Sequence, residues 1–222
     1  MNGNFGTESG PRKGLVIAVD GPAASGKGTI ARALAKHFDL PHMDTGLLYR
    51  AVALNLWRWG GDPTIEFEAL RACGDLRFDP DDEELRSEPV SRIASKVSSY
   101  ASVRAALLQR QREFAAQDGG AVLDGRDIGT VIAPGADAKL FVTASPEVRA
   151  QRRVRELLER GMPGHYEDVL LDIRARDERD SSREIAPLRQ AEDAELLDTS
   201  GLDIDQSIAE AIRLVERQLA EA

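Results

Sequence analysis

Apolar runs and amphipathic stretches alternate along most of this chain of 222 residues. Residues 15–19 read LVIAV, an uninterrupted and largely β-branched run that is typical of a buried strand. The next stretch, KGTIARALAKHF, places apolar side chains at helical spacing from Ile30 to Phe38, so we expect a helix that begins near Gly26 or Lys27. A buried strand followed by an amphipathic helix is the basic unit of an α/β fold.

The same unit repeats towards the C-terminus. A short strand is expected before DTGLLYRAVALNLWRW, where Asp44 or Thr45 would be the N-cap of the next helix. Further strands are expected at 121–124, 138–144 and 194–200. The helical segments are VRAALLQRQREFAAQ, an arginine-rich region at about 146–180 with a Gly/Pro break at 161–164, and a closing helix at 204–221. This alternation predicts a three-layer α/β fold, with a central parallel five-stranded sheet covered by helices on both faces.

Two segments depart from the regular pattern. Between Gly60 and about Ser102, glycine, proline and acidic residues divide the chain into short helices with one possible strand at 75–78. The first thirteen residues, MNGNFGTESGPRK, have no apolar stretch like that of a signal peptide and are expected to be a flexible extension. The remainder, residues 14–222, is expected to form one domain.

Composition and charge narrow the class of protein. With 42% hydrophobic and 30% charged residues, and no apolar run of transmembrane length, the chain is expected to be globular and not to enter a membrane. A formal net charge of −9 argues against a nucleic-acid partner. The single cysteine, Cys73, excludes an intrachain disulfide and suits a reducing compartment, and the histidines show no metal-ligand spacing. We therefore expect a cytoplasmic protein that acts on small molecules.

The segment GPAASGKGT directly follows the first strand and has the spacing of a phosphate-binding loop. Gly21 and Gly26 permit backbone angles at which successive N–H groups converge on one anion, and the following helix adds its positive N-terminal end. Lys27 can then reach the β- and γ-phosphates of a nucleotide. The alternative is an ordinary glycine turn between strand and helix, but such a turn does not require a lysine at this position.

Gly28 departs from the usual loop, in which a serine or threonine hydroxyl at this position binds magnesium. Thr29 comes one residue too late for that role. A loop that ends in Gly-Lys-Gly-Thr resembles those of the nucleoside monophosphate kinases, which pass the phosphate to a second nucleotide. Asp124, at the end of the strand at 121–124, is a candidate second carboxylate that would hold Mg²⁺ through a water molecule.

Phosphoryl transfer also requires an acceptor site, for which arginines are the expected ligands. In DTGLLYR, Thr45 is placed to contact a ligand and Tyr49 and Arg50 follow one turn later, although a capped helix explains them equally well. In AVLDGRDIGTVI, a glycine opens a turn that exposes Arg126 and Asp127 at the carboxyl end of a strand. Ligands bind at that end in open α/β sheets, so we favour a binding site over a polar surface turn.

A third stretch, LLDIRARDERDSSR, has one helical face that is apolar at its start and charged at its end. At 3.6 residues per turn, this face carries Val169, Ile173, Arg176, Asp180 and Arg183. Charges that continue a core-facing stripe predict the wall of a cleft, where two arginines would stabilise a phosphoryl transition state. The alternative is a solvated helix face with an i,i+4 pair between Arg176 and Asp180.

Four other arginines are weaker candidates. Arg104 opens the helix after the irregular segment, where a surface residue is the usual occupant. Arg149, Arg152 and Arg153 cluster in EVRAQRRVREL, either as a cap over the donor phosphates or as a solvated helix face.

Five motifs, in this order along the chain, together resemble the bacterial cytidylate kinases: IAVDGPAASGKGT, DTGLLYR, VRAALLQRQREF, DGRDIGTVI and RARDERDSSREIAPL. The resemblance runs from about Leu15 to the C-terminus. It implies a P-loop kinase fold with a short lid, at about 146–166, and an NMP-binding insertion, at about 60–102. It also implies transfer of the γ-phosphate of ATP to CMP or dCMP with Mg²⁺ as cofactor. We expect the enzyme to be a monomer.

The resemblance further assigns roles to residues. It implies that ATP is bound by Gly21, Pro22, Ala23, Ala24, Ser25, Gly26, Lys27, Gly28 and Thr29, with Arg152 as a further contact. It implies that CMP is bound by Thr45, Tyr49, Arg50, Arg104, Arg126, Asp127, Arg176, Asp180 and Arg183. In that set the sugar hydroxyls would contact Asp180, the cytosine edge Thr45, Arg126 and Asp127, and the acceptor phosphate Arg104 and Arg183. The expected catalytic residues are Lys27, Arg126, Arg176 and Arg183, and the expected water-mediated magnesium ligand is Asp124.

The sequence departs from the family pattern in one place, and it leaves two alternative functions open. The connection at 79–89, DPDDEELRSEP, is short for this family, which implies a reduced NMP-binding insertion. The cytosine-reading motifs lie outside it, so we expect specificity to be retained. A P-loop kinase of another small acceptor, such as AMP, UMP or shikimate, is one alternative. A regulatory nucleotide-binding ATPase is the other, although it would not need an arginine-lined second anion site.

Overall fold

The apolar run at the start of the chain forms the central strand of a parallel sheet in a computed structural model that describes residues 14–221. The extension expected over residues 1–13 lies outside the described residues. The strands are β1 (Leu15–Asp20), β2 (His42–Asp44), β3 (Gly120–Gly125), β4 (Ala138–Thr143) and β5 (Glu195–Asp198). Their order across the sheet is β2-β3-β1-β4-β5, and every pairing is parallel. The predicted five-stranded parallel sheet is confirmed.

Eight α-helices of the described residues connect and cover these strands. They are α1 (Lys27–His37), α2 (Thr45–Arg58), α3 (Glu66–Arg71), α4 (Glu88–Val97), α5 (Ala101–Ala115), α6 (Pro146–Glu159), α7 (Tyr166–Ser181) and α8 (Ile204–Glu221). Two short helical segments add to these, a 3₁₀ turn at Glu83–Arg86 and a π-helical turn at Ile128–Ile132. None of the helices within residues 14–221 combines the length and the apolar character that a bilayer span requires.

Alternate residues of β1 face two different helical layers. Ile17 and Val19 pack with α1 and α8, whereas Val16 and Ala18 pack with α5 on the opposite face of the sheet. A strand that is buried on both faces has no polar alternation, which explains the continuous apolar run in the sequence. The three-layer arrangement is therefore the one that the sequence pattern predicts.

A second hydrophobic cluster lies beside the sheet and organises the irregular segment. Helices α2, α3, α4 and α5 share it, with Leu56, Leu85 and Leu107 among its fully buried members. Cys73 packs against this cluster, and burial raises the pKa of its thiol to about 11. The cysteine therefore has a packing role.

No strand forms at 75–78, so that prediction is wrong. The Asn55 side chain donates from Nδ2 to the Asp75 carbonyl at 3.0 Å, and Arg110 donates to the Leu76 carbonyl at 3.2 Å. Leu76 and Phe78 pack against the second cluster. Side chains therefore satisfy the carbonyl groups and bury the apolar residues that a partner strand would otherwise engage.

The register of the sheet brings three strand ends to one place. Asp20 at the end of β1 is opposite Gly125, and Asp44 at the end of β2 is opposite Asp124. The Asp44 carboxylate accepts a hydrogen bond from the Gly46 N–H and caps α2, as one of the two predicted caps. The phosphate-binding loop leaves β1 at the same edge, where open α/β sheets bind ligands.

Candidate active site

A cavity of about 390 Å³ opens at the carboxyl ends of β1, β2 and β3. The phosphate loop and the start of α1 form one side of it, and α2, α4, α6 and α7 form the others. The predicted site residues that line it are Ala23, Ala24, Lys27, Gly28, Thr45, Tyr49, Arg50, Arg104, Asp124, Arg126, Asp127, Arg176, Asp180 and Arg183. Those that lie outside its lining are Gly21, Pro22, Ser25, Gly26, Thr29 and Arg152.

The phosphate loop fits closely against the end of the sheet. A Cβ atom at Gly21 would lie 2.0 Å from the carbonyl oxygen of Val142, so the position admits only glycine. Gly26 adopts a left-handed φ of 89° directly before α1. The Lys27 ammonium group lies 3.5 Å from the Pro22 carbonyl oxygen, on the opposite side of the loop. The loop therefore has the turns that an anion-binding strand-to-helix connection requires.

The positive charge of Lys27 is poorly compensated. The pKa of Lys27 is lowered to about 8, mainly by burial and then by the nearby Arg126, whereas Asp124 and Asp44 act in the opposite direction. No carboxylate among residues 14–221 forms an ion pair with its ammonium group. An anion bound beside a buried lysine stabilises the charged form, so this end of the cavity favours phosphate.

Arg152 forms hydrogen bonds with the backbone of the phosphate loop and with Thr199. Its guanidinium donates to the Ser25 carbonyl at 3.3 Å, to Thr199 Oγ1 at 2.9 Å and to the Thr199 carbonyl at 2.7 Å. Thr199 Oγ1 also donates to the Ser25 carbonyl at 3.1 Å. Arg152 therefore contacts the loop backbone from behind, and its contact with ATP stays a prediction.

The other two arginines of this cluster connect α6 to its neighbours. Arg149 is 3% exposed and forms a bidentate ion pair with Asp177 of α7, at 2.9 and 2.6 Å. It also donates to the Ala23 carbonyl of the phosphate loop at 3.3 Å. Arg153 pairs with Glu88 at the start of α4. A solvated helix face is therefore the wrong description of these residues, because each contacts another part of the cavity wall.

Asp124, the predicted water-mediated magnesium ligand, lines the cavity. One of its carboxylate oxygens, Oδ1, is 2.7 Å from His42 Nε2. The other, Oδ2, would be 3.7 Å from a Cβ at Gly28, so it faces the start of α1. The described residues contain no cluster of three or more His, Cys, Asp or Glu side chains that could hold a metal. A single free carboxylate oxygen suits an ion that arrives with the nucleotide and keeps most of its water.

His42 was missed by the sequence reasoning. The spacing of the histidines excluded a metal cluster, but it gave no information about a hydrogen bond to a carboxylate. The signal lies in the sheet: β2 pairs with β3, and His42 is opposite Val122, two residues before Asp124. That His42 is close to Asp124 can be inferred only once the strand order is known.

Two buried ion pairs organise the other side of the cavity. Arg104 pairs with Asp127, and both side chains are less than a tenth exposed. Arg126 donates from Nε to Asp180 Oδ2 at 2.9 Å. Burial alone would raise the pKa of Asp180, but Arg126 and the arginines at 176 and 183 together hold it below its ordinary value. Asp180 is therefore ionised and orients the arginines around it.

The arginines of this side carry more positive charge than their partners neutralise. Burial, with Arg126 nearby, lowers the pKa of Arg176 to about 9, and burial also lowers the pKa of Arg183. Among the described residues, Arg176 Nε and Arg183 Nη2 are buried without a hydrogen-bond partner. Basic side chains outnumber acidic ones in the cavity lining, although the whole chain has a net charge of −9. This second region therefore also favours an anion.

The stripe predicted along the arginine-rich helix faces the cavity, with one difference. Val169, Ile173, Arg176 and Asp180 all belong to α7 and line the cavity. The helix ends at Ser181, so Arg183 lies beyond it. Arg183 still reaches the cavity, where its Nη2 is 3.5 Å from Asp180 Oδ1. The predicted i,i+4 pair is present, with Arg176 Nε 4.0 Å from Asp180 Oδ2, but the interpretation as a solvated face is wrong because the stripe forms a wall of the cavity.

Helix α4 contributes polar residues that the sequence reasoning also missed. Ser91 and Ser95 line the cavity from α4, and Ser98 follows directly after the helix. The Ser95 hydroxyl accepts a hydrogen bond from Arg179 at 3.2 Å, and the Ser98 carbonyl accepts from Arg104 at 3.4 Å. Their spacing follows a helical face beside buried Val90, Ala94 and Val97, which is the signal that could have identified them.

Sequence comparisons relate the chain to one family. The family model for cytidylate kinase matches residues 17–217. A cytidylate kinase of Xanthobacter autotrophicus is 60% identical over 208 residues, which cover 93% of this chain and 99% of that protein. A cytidylate kinase of Methylocella silvestris is 55% identical over 203 residues, covering 91% of this chain and 94% of that one.

Solved structures resemble the fold at low sequence identity. A gluconokinase from Sinorhizobium meliloti aligns with a TM-score of 0.53 and 17% identity, covering 95% of this chain and 96% of that one. An uncharacterized protein from Eubacterium ventriosum aligns with a TM-score of 0.55 and 13% identity, covering 91% and 98%. These structures support the P-loop kinase fold and carry no information about the substrate of this chain.

Proposed function

The chain belongs to the cytidylate kinase family, and on that premise we propose that it transfers the γ-phosphate of ATP to CMP or dCMP, giving CDP or dCDP. One observation carries the proposal. Two regions of excess positive charge face the same cavity, one at Lys27 and one at Arg176 and Arg183, which share the single carboxylate of Asp180 with Arg126. A phosphoryl-transfer enzyme needs such an arrangement, because it holds a donor and an acceptor phosphate next to each other.

The donor half is the phosphate loop with Lys27 and Asp124. We propose that the loop backbone and the Lys27 ammonium group hold the β- and γ-phosphates of ATP. Mg²⁺, held near Asp124, would neutralise negative charge on the phosphates. The free Asp124 oxygen fits a contact to its water shell, because His42 occupies the other oxygen. Gly28 offers no hydroxyl, so the protein supplies few direct ligands.

The acceptor half is the arginine-rich side of the cavity. We propose that Asp180 binds the sugar hydroxyls and that Arg126 and Asp127, with Thr45, read the cytosine edge. Arg104 and Arg183 would hold the acceptor phosphate. The buried pairs support this assignment, because they fix the orientation of Arg104 and Arg126 before a ligand binds.

The chemistry requires alignment and charge neutralisation more than proton transfer. The attacking oxygen of the acceptor phosphate is already anionic at neutral pH, so no strong general base is needed. Arg176 and Arg126 both lie near Asp180 and both affect the pKa of Lys27, so we propose that they stabilise charge on the transferred group. Apolar side chains of α6 and α7, Leu157, Val169 and Ile173, line the cavity and would limit the access of water.

The remaining assignments follow from the proposed reaction. We propose that the enzyme acts as a monomer in the cytoplasm, on ATP, CMP and dCMP, with Mg²⁺ as cofactor. The single free cysteine supports a reducing compartment. The residues assigned to both nucleotides belong to one chain, so no second copy is needed to complete the cavity.

An acceptor panel tests the proposal. The purified protein is assayed with ATP and Mg²⁺ in the presence of CMP, dCMP, UMP, AMP or no acceptor, and nucleoside diphosphates are quantified by chromatography. We expect turnover on CMP and dCMP. A preference for AMP or UMP would assign a different acceptor. ATP hydrolysis at the same rate without any acceptor would contradict the kinase mechanism itself.

A further inference from the structure

Asp20 is a buried carboxylate that none of the roles above includes. It is the last residue of β1, directly before Gly21 of the phosphate loop, and it is 5% exposed. The Ile128 N–H donates to its Oδ1 and the Gly129 N–H donates to its Oδ2, each at 2.8 Å. Both carboxylate oxygens are therefore bound to the backbone that follows the Arg126–Asp127 turn.

These two N–H groups begin the π-helical turn at 128–132. The first N–H groups of a helical turn have no partner inside it, and the residue just before the turn usually caps them with its side chain. Asp127 occupies that position but makes no capping bond, because its carboxylate pairs with Arg104. Asp20 supplies the cap from another strand. Asp127 thereby remains available for the acceptor half.

We propose that Asp20 is a positioning residue that fixes the Arg126–Asp127 turn relative to the phosphate loop, so that donor and acceptor nucleotides are held in register. The proposal rests on the function proposed above. Asp20 is not among the residues that line the cavity, and its side chain acts through the backbone N–H groups of residues 128 and 129. Because Asp20 directly precedes the phosphate loop, its side chain connects the loop of the donor half to the backbone beside the Arg126–Asp127 turn.

The electrostatics of Asp20 support a role other than stability. Burial raises the pKa of Asp20 to about 7, while the two backbone N–H groups act to lower it and Asp127 acts to raise it. Arg126 also acts to lower it, although its ion pair is with Asp180. An ionised, buried carboxylate without an ion-pair partner is unfavourable for folding. A neutral residue of the same size at this position is therefore expected to leave the fold as stable as before at alkaline pH.

Asp137, the residue before β4, provides a matched control because it contacts the opposite end of β1. Its Oδ2 accepts a hydrogen bond from the Val16 N–H at 2.8 Å, and it lies outside the cavity lining. Asp20→Asn and Asp137→Asn each replace a carboxylate that accepts backbone N–H groups. Only the first of these carboxylates contacts the acceptor turn.

The experiment compares the two variants by steady-state kinetics for CMP and for ATP and by thermal melting at pH 8. We expect Asp20→Asn to raise KM for CMP by about tenfold or more, because one N–H would face an amide donor and the turn would shift. KM for ATP should change by less than about threefold, and the melting temperature should not fall. Asp137→Asn should leave both KM values unchanged.

The outcomes separate this proposal from the proposed function. Absence of CMP turnover by the unmodified protein would refute the proposed function. With that turnover present, an equal rise of both KM values in Asp20→Asn, or no rise in KM for CMP, would overturn the positioning role. Asp20→Ala replaces Asp20→Asn if the latter does not fold. Failure of both to fold beside a folded Asp137→Asn would assign Asp20 to stability and would also overturn it.

Discussion

The two halves of the cavity are built in different ways. The donor half comes from nearly contiguous residues, the phosphate loop at 21–29, and its shape depends on backbone turns. The acceptor half comes from α2, α5, α7 and the turn after β3, and it depends on side chains that pair with one another. A backbone cradle recognises phosphate in general, whereas a set of paired side chains can distinguish one nucleotide from another.

Because they are built differently, the two halves are also expected to tolerate different kinds of substitution. The loop accommodates changes in side chains that do not face the ligand, but a Cβ at Gly21 would meet the sheet backbone. The acceptor half consists of coupled charges, in which the loss of one partner leaves the other buried and unpaired. Substitutions in the donor half and in the acceptor half should therefore change the kinetic constants for ATP and CMP in different ways.

The largest effect is expected for Lys27→Met in the donor half. This variant removes the one ammonium group at the loop, and we expect kcat/KM to fall by about 10²–10³-fold with either substrate varied. The control is Lys36→Met, which removes an exposed lysine from the same helix. Steady-state kinetics with CMP as acceptor measure the effect. A loss of less than about fivefold would show that the loop backbone alone holds the donor phosphates.

A smaller and more selective effect is expected for Arg126→Ala in the acceptor half. The variant removes the side chain that donates to Asp180 at 2.9 Å, so we expect kcat/KM for CMP to fall by about 10²-fold. ATP binding, measured by titration calorimetry without acceptor, should change by less than about threefold. Arg213→Ala, which removes an exposed arginine of α8 paired with Glu210, is the control. Comparable losses for ATP and CMP would contradict the division into two halves.

The same difference explains what could be predicted from the sequence. The loop, the strand–helix alternation and the charged stripe of α7 are local patterns, and each has its predicted place in the fold. The unpaired segment at 75–78 depends on hydrogen bonds to distant residues, such as that from Asn55, which no local pattern contains.

The site was predictable to a similar extent. Arginines and aspartates within motifs could be identified as candidates, but their pairing could not, because Arg104 and Asp127 are brought together by the fold. His42 lies outside the motifs, and Asp20 belongs to the first motif but precedes the phosphate loop itself. Both act on neighbours across the sheet, so their roles emerge only from the strand order β2-β3-β1.

The smallest effect is expected for Gly28→Ser, which restores the hydroxyl of the usual phosphate loop. A Cβ at this position would lie 3.6 Å from Arg32 Nη1 and 3.7 Å from Asp124 Oδ2, which are ordinary van der Waals distances. The added hydroxyl lies beside the proposed magnesium contact, and we expect the Mg²⁺ concentration for half-maximal activity to fall by about threefold. Gly28→Ala, which adds the Cβ alone, is the matched control for the effect of helix propensity on α1. KM for CMP should be unchanged in both variants, because the acceptor half does not contact this position. If serine and alanine shift the half-maximal Mg²⁺ concentration equally, the hydroxyl is not the cause. A change in KM for CMP would show that a substitution in the donor half also affects the acceptor half.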